Sequence, residues 1–75
     1  MEELLTLLHD ILPKIDFENG KDLVDDGVLD SLDVVSIISE ISSTYDIEIP
    51  SDEITPDNFN SAEAILKMIE RLRDE

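Results

Sequence analysis

Residues 25–45 read DDGVLDSLDVVSIISEISSTY. Asp26-Gly27 is a turn signal. After it, apolar residues recur at the spacing of a helix. Val34, Ile37, Ile38, Ile41 and Tyr45 fall on one side of the wheel, and Leu32, Asp33, Ser36, Ser39, Glu40 and Ser43 on the other. The helix is expected to start at Asp30 or Ser31, both good N-cap types, with Asp33 in the first turn where the dipole favours a negative charge. It should end near Tyr45-Asp46.

The flanks carry the same periodicity. Leu4, Leu8, Ile11 and Ile15, with Leu5 and Leu12 beside them, predict a first helix from Glu2 to Leu12, closed near Pro13. A long connection follows, with a turn at Asn19-Gly20; Phe17, Leu23, Val28 and Leu29 are expected to pin it to the core. Beyond the second helix, Ile49 must be extended because Pro50 follows it. Ser51 can cap a short helical turn, SDEI, and Thr55-Pro56 begins another connection. Asn60 is expected to cap the last helix, with Glu63 three residues on. Ala62, Ile65, Met68, Ile69 and Leu72 form its stripe, and Arg71 and Arg73 suit its C-terminal end. The prediction is all-α, a small four-helix bundle of three main helices and one short one, making a single domain over 1–75.

Composition bounds the function. A chain of 75 residues has little room for a deep, sheltered pocket. It contains no cysteine, so it has no disulfide, thiolate metal site or thiol of its own. The net charge of −15 repels nucleic acid and anionic membranes and attracts basic proteins. The acidic start lacks the basic, apolar pattern of a signal peptide, and no apolar run reaches membrane-span length. A monomeric cytoplasmic protein is the expectation.

The chemistry-bearing stretch is Asp26 to Asp33. It sets a serine at the mouth of a helix, where a phosphate would meet free backbone donors and the positive end of the dipole. Leu32 projects onto the polar face beside it. Taken alone, this is also the pattern of an ordinary serine cap next to a partly buried leucine. Residues 22–33 have the length of a calcium-binding EF-hand loop, with Asp22, Asp26, Gly27 and Asp30 at suitable positions. Val24, however, stands where an oxygen ligand belongs, and Asp33 where a bidentate Glu is wanted. A Ser31–His9–Asp trio can be named, but catalysis also needs an oxyanion site and a substrate pocket. No specific metal site and no catalytic residue are expected.

Asp30-Ser31-Leu32 resembles the phosphopantetheine attachment motif of acyl and peptidyl carrier proteins. The length, the helical plan, the acidic charge, Gly27 four residues before the serine, and Asp46-Ile47-Glu48-Ile49-Pro50 extend the likeness over essentially the whole chain. The resemblance implies a 4′-phosphopantetheine arm, attached covalently to Ser31 by a separate phosphopantetheinyl transferase (a holo-carrier synthase). Acyl groups would ride as thioesters on the arm's thiol. It implies recognition contacts at Asp30, Leu32, Asp33 and Glu40, loading and biosynthetic enzymes with basic docking patches, and no enzymatic activity of the carrier itself. Val34, Ile37, Ile38, Ile49, Ile54, Ala62 and Ile65 would line or border the helical core into which a carrier can tuck its cargo. Carriers of bacterial fatty-acid synthesis bear more acids on the second helix, where this chain has Ser36, Ser42 and Ser43. That departure points to a dedicated pathway beside the acyl-carrier reading, with a D-alanyl, other aminoacyl or peptidyl carrier as the alternative.

Overall fold

The structure, a computed structural model, describes residues 1–74. Its elements are α1 (Glu2–Ile11), α2 (Ser31–Tyr45), a 3-10 turn (Ser51–Glu53), α3 (Pro56–Phe59) and α4 (Ala62–Arg73). The all-α expectation holds. Helix α1 packs against α2 and α4, and α3 packs against α4.

Each long helix contributes one apolar stripe. Leu4 and Leu8 from α1, Val34, Ile37 and Ile41 from α2, and Ala62, Ile65, Met68 and Ile69 from α4 are buried together. Ile11 and Ile15, expected on the α1 stripe, are only half-buried, because the helix stops at Ile11 and the chain turns away before Pro13. At the far end of α2, Asp46 takes the left-handed conformation (φ 53°) and its N–H closes on the Ser42 carbonyl. Arg73 stacks 5.8 Å from the Tyr45 ring, joining the C-terminal ends of α2 and α4.

Three sequence expectations need correction. The single short helix placed at SDEI is a 3-10 turn in which Ser51 is the first residue rather than the cap, Pro50 standing before it, and a separate one-turn helix, α3, follows at Pro56–Phe59. Proline is preorganised for that first position and Thr55 is extended before it, but four residues are too few to show a period. Val28 does not pin the loop; it is exposed, whereas Phe17, Leu23 and Leu29 are buried. Asn60 does not cap the last helix. It is itself helical in backbone (φ −70°, ψ −19°), which a cap residue is not. Ser61 is extended (φ −152°, ψ 162°), and its hydroxyl accepts the Ala64 N–H at 3.1 Å.

The segment between α1 and α2 is ordered by local bonds rather than by a helix. The Asp16 carboxylate accepts both the backbone and the side-chain N–H of Asn19, each at 3.2 Å. Gly20 then passes so near that a Cβ there would lie 2.6 Å from the Asp16 carbonyl oxygen. Gly27 takes a φ of 78°, open to glycine without strain. The segment supplies no helix entering residues 22–33, so the paired-helix frame of an EF-hand is not formed.

Candidate functional site

The first turn of α2 is capped by Asp30. Its Oδ1 accepts the Asp33 N–H at 2.9 Å, and Asp33 Oδ2 faces the Asp30 N–H at a longer 3.4 Å, completing a reciprocal capping box. The sequence left the cap open between Asp30 and Ser31; the geometry gives it to Asp30. Ser31 is therefore the first helical residue. It is exposed, and its hydroxyl has no hydrogen-bond partner among the described residues. The cap that orders the helix thus leaves the neighbouring hydroxyl free.

The surroundings of Ser31 are apolar on one side. A groove of about 300 Å³, open to solvent, runs beside it between the start of α2 and α3. Val24 and Leu29 of the connecting segment form part of its wall, Val34, Val35 and Ile38 of α2 another, and Ile54, Pro56 and Phe59 the third. The residues expected to line or border the core divide between this groove and the sealed interior. Val34, Ile38 and Ile54 line this groove. Ile37, Ala62 and Ile65 are sealed inside the core, and Ile49 packs against the core away from the groove.

Leu32 is 75% exposed and Val35 60%, so the α2 surface after Ser31 presents apolar side chains to solvent. The wheel foretold Leu32; Val35 was missed because it lies at the border between the two faces. Asp33 is half-buried and committed to the capping box. Glu40 is exposed, but at 1.5 Å per residue it lies about 13 Å further along α2 than Ser31. It lines a different depression with Leu7, Asp10 and Ser36. Asp30, Ser31, Leu32 and Asp33 are thus one cluster, and Glu40 is outside it. Ser36, Ser39 and Ser43 are exposed and Ser42 half-buried, so the polar face of α2 is largely uncharged.

His9 lies on the opposite partner network, 3.4 Å from Glu18 and edge-on to the Phe17 ring, and does not approach Ser31 to form a triad. Among the described residues no group of three or more His, Asp or Glu side chains is gathered as a metal site, and no helix is long and apolar enough to cross a membrane.

A family model described as "Phosphopantetheine attachment site" matches residues 2–73. The chain is also similar to the D-alanyl carrier protein of Streptococcus pyogenes serotype M1, with 42% identity over 53 residues, 71% of this chain and 67% of the relative. The D-alanyl carrier protein of Streptococcus thermophilus is 41% identical over 54 residues, 72% of this chain and 68% of its own. With the family model spanning every helix of the bundle, the chain belongs to the phosphopantetheine-attachment family and is a carrier protein whose working group is a covalently attached 4′-phosphopantetheine.

Proposed function

We propose that residues 1–75 act as one carrier domain, that Ser31 holds the arm, and that the cargo is an aminoacyl group, D-alanine first among those to test. The observation that carries the attachment point is the free, exposed Ser31 hydroxyl beside a cap supplied by another residue. The residues there fit the arm. A phosphodiester on that oxygen displaces no hydrogen bond of the fold. It sits at the N-terminus of a 15-residue helix, where unbonded N–H groups and the dipole offset the charge of Asp30 and Asp33. The apolar groove can shelter the neutral part of the arm. The arm supplies the thiol that the sequence lacks, and with it thioester chemistry.

Ser31 would serve as acceptor: its oxygen gains the phosphorus of the phosphopantetheine half of coenzyme A, the pyrophosphate P–O bond breaks to release adenosine 3′,5′-bisphosphate, and the serine proton leaves to a base of the transferase. The transfer chemistry belongs to partner enzymes. Asp30 and Asp33 fix the helix start that presents the hydroxyl, and Leu32 and Val35 offer an apolar contact on the same side. Glu40 is a separate, more distant charged contact for a basic patch.

The choice of cargo rests on the curated relatives and on electrostatics. An aminoacyl thioester carries an ammonium, which a chain of net charge −15 attracts, whereas an uncharged acyl chain gains nothing from that field. The largely uncharged face of α2, with Glu40 its one exposed acid, offers weak steering to enzymes that read a row of acids. The test is intact mass after reaction with coenzyme A and a phosphopantetheinyl transferase, followed by ATP with either a D-alanine-activating or a fatty-acyl-activating ligase. The aminoacyl reading expects the D-alanyl increment. Loading by the fatty-acyl ligase alone returns the chain to the acyl carriers.

A further inference from the structure

Asn60 makes a set of bonds that no helix cap requires. Its backbone carbonyl accepts the Leu23 N–H at 2.9 Å. Its side-chain Oδ1 accepts the Val24 N–H at 2.9 Å and the Asp25 N–H at 3.1 Å. Its Nδ2 donates to Asp25 Oδ2 at 3.1 Å. One half-buried residue therefore holds three consecutive residues of a segment that has no regular structure of its own. The hold is passed on toward α2, because Leu29 N–H donates to the Leu23 carbonyl at 2.8 Å.

The two ends of this clamp are two of the three walls of the groove beside Ser31. Val24, bonded to the Asn60 side chain, and Leu29, tied through Leu23, line one side. Phe59, covalently next to Asn60, lines the other. The residue type is matched to the task. An amide can accept two N–H groups on its oxygen while donating from its nitrogen to a carboxylate. A carboxylate in its place would lose that donation and set a like charge against Asp25.

We infer that Asn60 is a positioning residue, a latch that holds the walls of this groove together so that the arm lies along it rather than free in solvent. This rests on the reading of Ser31 as the attachment point, and the experiment separates the two. Wild type, N60A, N60D and D25N/N60D are reacted with a transferase and coenzyme A whose thiol bears a dansyl group, an emitter that shifts to the blue in apolar surroundings. Intact mass counts the arms, dansyl emission reports their environment, and hydrogen exchange reads the Val24 and Asp25 amides.

Wild type should emit to the blue of free dansyl-coenzyme A. N60A and N60D should gain the arm's mass yet emit like the free label, with exchange at Val24 and Asp25 faster by about tenfold in N60A for the loss of these bonds. D25N/N60D lets position 25 donate to position 60 with the total charge unchanged, and should restore the blue emission. Emission in N60A and N60D equal to wild type, with the arm present and the two amides exchanging faster, overturns the latch while leaving the carrier reading intact. So does a double variant that stays like N60A while keeping its helical circular dichroism. Wild type that gains no mass sinks the carrier reading and the latch with it.

Discussion

Two helices of this molecule begin beside a serine, and only one of the two hydroxyls is spent on the fold. Ser61 stands just outside α4 with extended backbone, and its hydroxyl is spent on the Ala64 N–H. Ser31 stands one step further in, as the first residue of α2, and Asp30 outside it takes the capping bond. A shift of one position along the chain separates a structural hydroxyl from an available one. The lesson is that a serine near a helix start has no role until the cap has been assigned, because only the N-cap side chain reaches back to the N–H of the third residue.

The largest expected effect is on Ser31. S31A should abolish arm attachment completely, while its melting temperature stays at that of wild type. Mass spectrometry after the transferase reaction and a thermal melt check both halves. A melt lowered as far as that of S61A would mean that the two serines are both caps and the contrast is lost.

Next come the caps themselves. D30A and S61A should each cost about 1 kcal/mol, within a range of roughly 0.5–2. For a domain of this size each kcal/mol lowers the melting temperature by about 4–8 °C. S61A should keep a normal modification rate, because its bond lies in another helix. Chemical denaturation alongside the rate assay would reveal any coupling between the two helix starts.

A smaller stability effect is expected for L32A, under about 0.5 kcal/mol, as for an exposed position without special bonds. Its modification rate should nevertheless fall if, as proposed, this exposed side chain is a contact for the transferase. A buried leucine would instead cost about 2–5 kcal/mol, the loss expected for L8A, which removes a fully buried side chain.

The smallest effect concerns a third acceptor with the same reach of three residues, Asp16, which has no helix after it. The Asn19 side-chain amide, followed by the Asn19 backbone N–H, holds the Asp16 carboxyl below its ordinary value. A depressed folded value means that its contribution is present above the unfolded value of about 3.9 and is lost as pH falls through the folded one. N19A should move the Asp16 midpoint upward in an NMR titration. An unchanged Asp16 midpoint would show that the backbone bond alone sets it.

The regular helices were legible in the sequence because burial there follows a period. Leu4 and Leu8, Val34, Ile37 and Ile41, and Ala62, Ile65, Met68 and Ile69 of α4 are core as read, Leu72 is only half-buried, and Leu32 is outside as read. What escaped was set by single contacts. Phe59 is buried from a one-turn helix with no period to reveal it. Val28 and Leu29 are adjacent and equally apolar, yet only Leu29 turns inward, because the turn at Gly27 sets which side each faces. Asn60 looked like a cap because caps and long-range clamps use the same amide chemistry; its partners lie 35 and 36 residues away in the chain. Within the candidate site, Asp30 to Asp33 were found by motif, while the groove walls at Val24, Pro56 and Phe59 needed the third dimension.

The division of labour at the start of α2 has a consequence for descent. Since the capping box of Asp30 and Asp33 secures the helix start without the Ser31 hydroxyl, folding places almost no constraint on what stands at position 31. A lineage that no longer used the hydroxyl could exchange it for alanine without loss of folded protein, whereas position 30 would stay under selection for as long as the fold was kept. A serine retained at 31 therefore records use rather than architecture, and drift at that one position would be the earliest mark of a copy released from its duty.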